Sequence, residues 1–333
     1  MHHRLRPREQ WVSAEWSPRG LAGRGPGLLP DPARDLGILM RVLVTGASGF
    51  IGRHLVKTLA AEGHTLVTAS RSDGSASEEH VRYDFASAEP FPEIAPVDAV
   101  VHLAAHSSAS DGLPADEIAR VNVQGTLTAL LVARRSHARF VLASSQRVYR
   151  PGSQAISEGG PTEPIDVYGY TKLAAELYTQ MTARLFDVPA TIPRFFSVYG
   201  PGQVVTQGTS GVVSILAQRA LAGAPMVVMT RQPKDFVEVS DAVRGIILCL
   251  SACRVPSPAY NIATGVPTSV LTLAREIHTW TGSTSPITED YSIDEPGGLV
   301  ADIERARQEL GYEPKIGLAE GLCNYVNWLR TTR

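Results

Sequence analysis

Cysteine is scarce in this chain, and its three residues, Cys249, Cys253 and Cys323, are odd in number. A disulfide framework is therefore not expected, and the cytoplasm is the expected compartment. Cys249 and Cys253 stand four apart, on one face of a helix, yet no His or further Cys completes a ligand set. No metal centre is expected, and both read as core residues. Long apolar runs are lacking too, which argues against a membrane span and for a soluble protein. Neither sign of charge dominates: 31 Lys and Arg against 33 Asp and Glu leave a formal charge of −2 over 333 residues. That balance excludes a surface given over to nucleic acid or anionic lipid. With 44% hydrophobic and 19% charged residues, the composition is that of a globular protein with a real core.

What is present divides at Met40. Residues 1–39 hold five Pro, five Gly, six Arg and four acidic residues, and show no helical or strand periodicity. They lack the apolar core of a signal peptide and are too acidic for a transit peptide. The expectation is a disordered extension over 1–39 and a folded protein that starts at Met40. From there RVLVT (41–45), TLVTA (65–69), DAVVHLA (98–104) and RFVLAS (139–144) read as buried strands. Helical periodicity follows from Phe50, from Pro114 and around Tyr168. Apolar strands alternating with helices predict an α/β fold, a doubly wound parallel sheet of Rossmann type covered on both faces. The dinucleotide-binding domain is placed at 40–195. A smaller mixed α/β substrate lobe, interleaved with it, is placed at 196–333.

TGASGFIG carries the first chemical signal, with Gly46, Gly49 and Gly52 between a strand and a helix. The first glycine permits the tight turn, the second lets backbone approach a pyrophosphate, and the third allows close helix packing. At the end of the second strand, where an acidic residue grips the ribose of NAD, Ser70 and Arg71 stand instead. They suit a 2′-phosphate, so NADP is the favoured cofactor and NAD the alternative. Asp84, after a short strand, is placed to accept from the adenine amine. The second signal is YGYTK (168–172). Tyr168 and Lys172 share a helix face, so an ammonium near the phenol is expected to lower its pKa for proton transfer. Ser144 and Ser145 close the strand upstream and offer a hydroxyl to the substrate oxygen.

These residues carry a resemblance. From Met40 onward the chain resembles the extended short-chain dehydrogenase/reductases of the NAD-dependent epimerase/dehydratase family, which modify nucleotide sugars. TGASGFIG, VVHLAA (100–105), NVQGT (122–126), SSQRVY (144–149), YGYTK, RFFSVYGPGQ (194–203), DFVEVSDA (235–242), YNIATG (260–265) and LGYEP (310–314) follow in the order of that family. The resemblance implies that Ser145, Tyr168 and Lys172 are catalytic and that Asn122 supports them. It implies that Ser48, Phe50, Ile51, Phe85, Leu103, Ala104, Ala105 and Phe195 line the cofactor with the glycines. Ser144, Gln146, Arg147, Ser197 and Lys234 are the implied substrate contacts.

Departures narrow the implied chemistry. Dehydrating members resemble one another in an Asp-Glu pair after the catalytic hydroxyl; here Gln146 and Arg147 stand there, and neither does acid/base work near neutral pH. Hydride transfer alone is left. The Ser70-Arg71 pair tilts the reading to a reductase of an NDP-4-keto-hexose, with an NDP-sugar 4-epimerase that holds NAD permanently as the alternative. A catalytically silent NADP(H) sensor is a third reading. Lys234 replaces the usual Arg of the DFV block, losing its bidentate fork, and Glu295 would repel a diphosphate. Arg147, Arg150 and Arg231 are candidate replacements for the missing cations. Relatives pair through the helices after Pro114 and Tyr168, which implies a homodimer.

Overall fold

The apolar runs form strands because each contributes β-branched side chains to both faces of a covered sheet. The computed structural model describes residues 39–72, 79–106, 114–205, 211–291 and 296–332. Residues 1–38 of the expected extension over 1–39, and the Glu295 carboxylate, lie outside the described residues. In chain order the first strands and helices are β1 (Arg41–Thr45), α1 (Phe50–Ala61), β2 (Thr65–Ser70), β3 (Glu79–Arg82), β4 (Ala99–His102), α2 (Ala115–Ala119) and α3 (Gly125–Ser136). Next come β5 (Arg139–Leu142), β6 (Ser144–Ser145), α4 (Val167–Phe186), β7 (Ala190–Phe195), β8 (Ser197–Tyr199), α5 (Val212–Leu221), β9 (Met226–Val228) and β10 (Phe236–Glu238). The chain ends with α6 (Val239–Ser251), β11 (Ala259–Ile262), α7 (Val270–Thr281), β12 (Ile287–Glu289), α8 (Glu304–Leu310) and α9 (Leu318–Thr331).

One eight-stranded sheet runs in the order β11-β7-β5-β4-β1-β2-β3, with β6 paired to β7. All its pairings are parallel. Alternation within each run sends side chains to opposite cores. Val42 and Val44 of β1 pack with Leu55 and Leu59 of α1 and Ile246 of α6. Leu43, between them, packs on the other face with Leu130 of α3 and Ala175 of α4. Each such fully buried Leu stabilises the fold by about 1.5–3 kcal/mol. The strand order reverses between β1 and β4, so the carboxyl ends of these two strands flank the crevice where α/β sheets take ligands.

The strands read from the sequence at 98–104 and 139–144 are shorter in the structure, ending at His102 and Leu142. Residues past 195 do not stay in one lobe: α6 packs on the first core, and β11 is the outer strand of the large sheet. The smaller lobe has its own core of Tyr199, Leu216, Leu273 and Tyr325, with the short ladders β8–β10 and β9–β12 beside it. Cys249 lies in α6 but Cys253 falls beyond its end; both are buried. Among the described residues, no helix is long and apolar enough to cross a membrane.

Candidate active site

The turn out of β1 is shaped by two glycines that admit no side chain. Gly46 has φ +67°, and a Cβ on it would lie 2.7 Å from the Ala104 nitrogen. A Cβ on Gly52 would lie 2.3 Å from the Gly46 carbonyl oxygen. The loop is thus wedged between the start of α1 and the Leu103-Ala104 segment that leaves β4. Gly49 is the N-cap of α1 and no side chain caps it. The first N–H groups of the helix, Phe50 to Gly52, therefore have no intrahelical acceptor and present a positive dipole end beside the crevice. This cradle fits a dinucleotide pyrophosphate, with Ser48, Ile51 and Ala105 around it. Below it, Thr45 Oγ1 accepts from the Ala104 N–H at 3.2 Å and lies 2.8 Å from His102 Nδ1. Burial drives the His102 pKa down to about 3, and the Lys172 charge adds to the effect, so the ring is neutral.

Across the crevice, β6 and α4 bring Ser145, Tyr168 and Lys172 together. Asp166 caps α4 by accepting from the Gly169 N–H at 2.7 Å, which sets Tyr168 in its first turn. The Tyr168 pKa is raised: burial acts most strongly, the nearby Ser145 hydroxyl and the Arg147 charge lower it in part, and Asp166 raises it again. The expected lowering by Lys172 is not found. Lys172 is 3% exposed, and burial brings its pKa from 10.5 to about 8, with the Glu176 charge holding it up. Asn122 lies in a π-helical turn, Arg120–Gln124, between α2 and α3, a distortion that recurs at functional sites. Its Oδ1 accepts from the His106 N–H at 2.7 Å, and its Nδ2 donates to Thr171 Oγ1 at 2.9 Å. It thereby ties the loop after β4 to the first turns of α4.

Ser144 corrects the sequence reading. Neighbours in a strand face opposite ways, and Ser144 points inward, donating to Glu176 Oε1 at 2.5 Å. It is no substrate contact. Glu176 in turn receives a bidentate fork from Arg194, Nη2 to Oε2 at 2.6 Å and Nε to Oε1 at 2.9 Å. Arg194 also donates to Tyr149 Oη at 2.8 Å, and Tyr149 donates to Asn261 Oδ1 at 2.7 Å. A buried polar chain therefore runs under the end of β6.

A model of the NAD dependent epimerase/dehydratase family matches residues 42–263. The chain belongs to that family. UDP-glucose 4-epimerase of Mycolicibacterium smegmatis is 33% identical, spanning 87% of this chain and 99% of the relative. UDP-glucuronic acid decarboxylase 2 of Arabidopsis thaliana is 30% identical, spanning 96% of this chain and 76% of the relative. Among solved structures, MoeE5 in complex with UDP-glucuronic acid and NAD superposes with a TM-score of 0.78 at 31% identity, covering 88% of this chain and 100% of that one. UDP-glucose 4-epimerase of Thermotoga maritima with UDP-glucose gives a TM-score of 0.79 at 27% identity, covering 88% and 99%. This member of the epimerase/dehydratase family is accordingly an enzyme of the NAD-dependent, nucleotide-sugar type.

The remaining residues named from the sequence fall around this family site with uneven fit. Ser70 is 5% exposed and its hydroxyl donates to the Ser72 carbonyl at 2.9 Å, whereas Arg71 beside it is exposed. Asp84 is exposed, while the Phe85 ring is buried against Tyr83, Phe91 and His102. Phe85 can line a cofactor only through its backbone. Phe195 is buried at the end of β7. Gln146 donates to Ser197 Oγ at 3.3 Å, and its buried Oε1 has no partner among the described residues. Arg147 is ion-paired with Asp166, Arg150 with Glu163 in solvent, and Arg231 lies 4.1 Å from the Tyr291 ring centre. Lys234 is held by its backbone between Thr268 and Leu299. Asp235 beside it is fully buried and accepts from Thr264 Oγ1 and the Gly265 N–H, at 2.6 and 2.8 Å. Sequence reasoning missed Glu176, Arg194 and Asp235. The signal for Arg194 was a charge inside an apolar strand and for Glu176 a charge on the buried face of a helix, while Asp235 stands just before β10.

Proposed function

We propose that this enzyme is a UDP-sugar 4-epimerase that holds NAD and returns the hydride to the sugar from which it came. The observation that carries the reading is a full Ser145, Tyr168 and Lys172 set over a glycine cradle, with Gln146 and Arg147 where elimination would need carboxylates. The names of the relatives support it: two of the proteins compared above are UDP-glucose 4-epimerases. Bound NAD supplies a hydride acceptor at sugar C4 and, when oxidised, a positive charge that favours the Tyr168 phenolate. Ser145 holds the C4 oxygen, and Tyr168 takes its proton and later gives it back. The Lys172 ammonium is present below about pH 8. The unpartnered Gln146 Oε1 is an acceptor for a sugar hydroxyl.

Purified protein should interconvert UDP-glucose and UDP-galactose without added coenzyme, read by chromatography of the nucleotide sugars. The exposed Arg71 favours a second reading, the NADPH-dependent reductase of an NDP-4-keto-hexose. Net NADPH oxidation with a keto-sugar nucleotide, and no epimer formed from UDP-glucose, would decide for that second reading.

We also propose a homodimer built on α4. Tyr170 and Leu177, seven residues apart on that helix, are 60% and 58% exposed, and Leu185 extends the apolar stripe. Sedimentation at micromolar concentration should give the mass of two chains, and Leu177→Glu should halve it.

A further inference from the structure

The α4 face that carries Lys172 and Glu176 continues at four-residue steps through Gln180 and Arg184, and these two residues line a separate cavity of about 510 Å³. Its other walls are the segment Arg254 to Ala259 leading into β11, Arg305 of α8, and Arg194. Because β11 is parallel to β7, its amino-terminal end lies at the sheet edge opposite the glycine cradle. The cavity is therefore distinct from the active site.

Four guanidiniums and one carboxylate, Glu158, line it. Arg194 is matched by Glu176. Arg254 and Arg305 share the single carboxylate of Glu309, which also accepts from Tyr260 Oη at 2.8 Å. Arg184 is exposed and has no ion-pair partner among the described residues. Cationic donors are thus in excess at this wall. Ser257 adds an independent sign: it is 8% exposed, and its buried hydroxyl has no hydrogen-bond partner among the described residues. Buried polar atoms are nearly always satisfied, and an exception at a cavity wall points to a ligand. Glu158 accepts from the Asn261 N–H at 2.7 Å, which leaves its second oxygen as a hydroxyl acceptor.

We propose that this cavity binds a small phosphorylated sugar, its phosphate on Arg184, Arg254 and Ser257 and its hydroxyls toward Gln180 and Glu158. Guanidiniums suit phosphate through paired N–H donors, and the volume exceeds what inorganic phosphate alone would fill. The assignment does not depend on which reaction the active site performs.

Calorimetric titration of the full chain with glucose 1-phosphate and with inorganic phosphate, in saturating UDP and NAD, tests it. Both should bind saturably, glucose 1-phosphate the more tightly. Arg184→Gln should weaken both at least tenfold and Ser257→Ala severalfold, with turnover on nucleotide sugars unchanged. Absence of saturable binding, equal affinity for the two probes, or wild-type affinity in Arg184→Gln overturns the proposal.

Discussion

Tyr168→Phe should lower turnover by about 10²- to 10⁴-fold, the range for loss of a positioned proton carrier, while coenzyme binding stays near the wild-type value. In the proposed mechanism the phenol is the group that exchanges a proton with the sugar C4 oxygen. Its neighbours cannot replace it: Ser145 does not ionise near neutral pH, and Lys172 is engaged with the Glu176 charge. The ring itself is retained in the variant, so the packing of α4 is preserved and the loss falls on kcat. Stopped-flow or steady-state rates, with coenzyme content measured in parallel, check the separation. Turnover within a few-fold of wild type would remove Tyr168 from the mechanism.

Glu176→Gln should destabilise the protein by about 3–5 kcal/mol, the cost of leaving a buried charge without its partner. Arg194 is 5% exposed and Glu176 is 1% exposed, so water does not compensate for either alone. The variant should also move the alkaline limb of kcat. Lys172 is charged below about pH 8 because burial lowers its pKa and the Glu176 charge raises it in part. Removing that charge lowers the Lys172 pKa further, so activity should be lost at a lower pH than in the wild type. Denaturant midpoints report the first effect and pH–rate profiles the second. An unchanged alkaline limb would mean that Glu176 serves the fold alone and does not tune Lys172.

The parts legible in the sequence are those with long periodic signals or strict steric demands. Val42, Leu43 and Val44 announce a strand covered on both faces. Gly46 and Gly52 announce a turn in which no Cβ fits, and the structure gives the contacts that forbid one. The strands β8, β9, β10 and β12, each of three residues, were not legible because so short a run carries no period. β7 was obscured by Pro193 and Arg194 within its length, and the Arg194 charge is matched there by Glu176 beneath. Ser144 was misassigned because the pleat, not the residue type, decides which of two adjacent serines faces the crevice. The raised Tyr168 pKa was illegible for a related reason: burial depth is a tertiary quantity, and it outweighs the charges that spacing alone places nearby.

The central claim, that hydride leaves and returns within one enzyme-bound pair, is tested most directly with UDP-glucose carrying deuterium at C4. UDP-galactose should form with the deuterium retained at C4, and none should be carried into the reduced form of NAD(P)+ added to the medium. Transfer of the label to the added coenzyme, or its replacement at C4 by hydrogen from added NADPH, would contradict it.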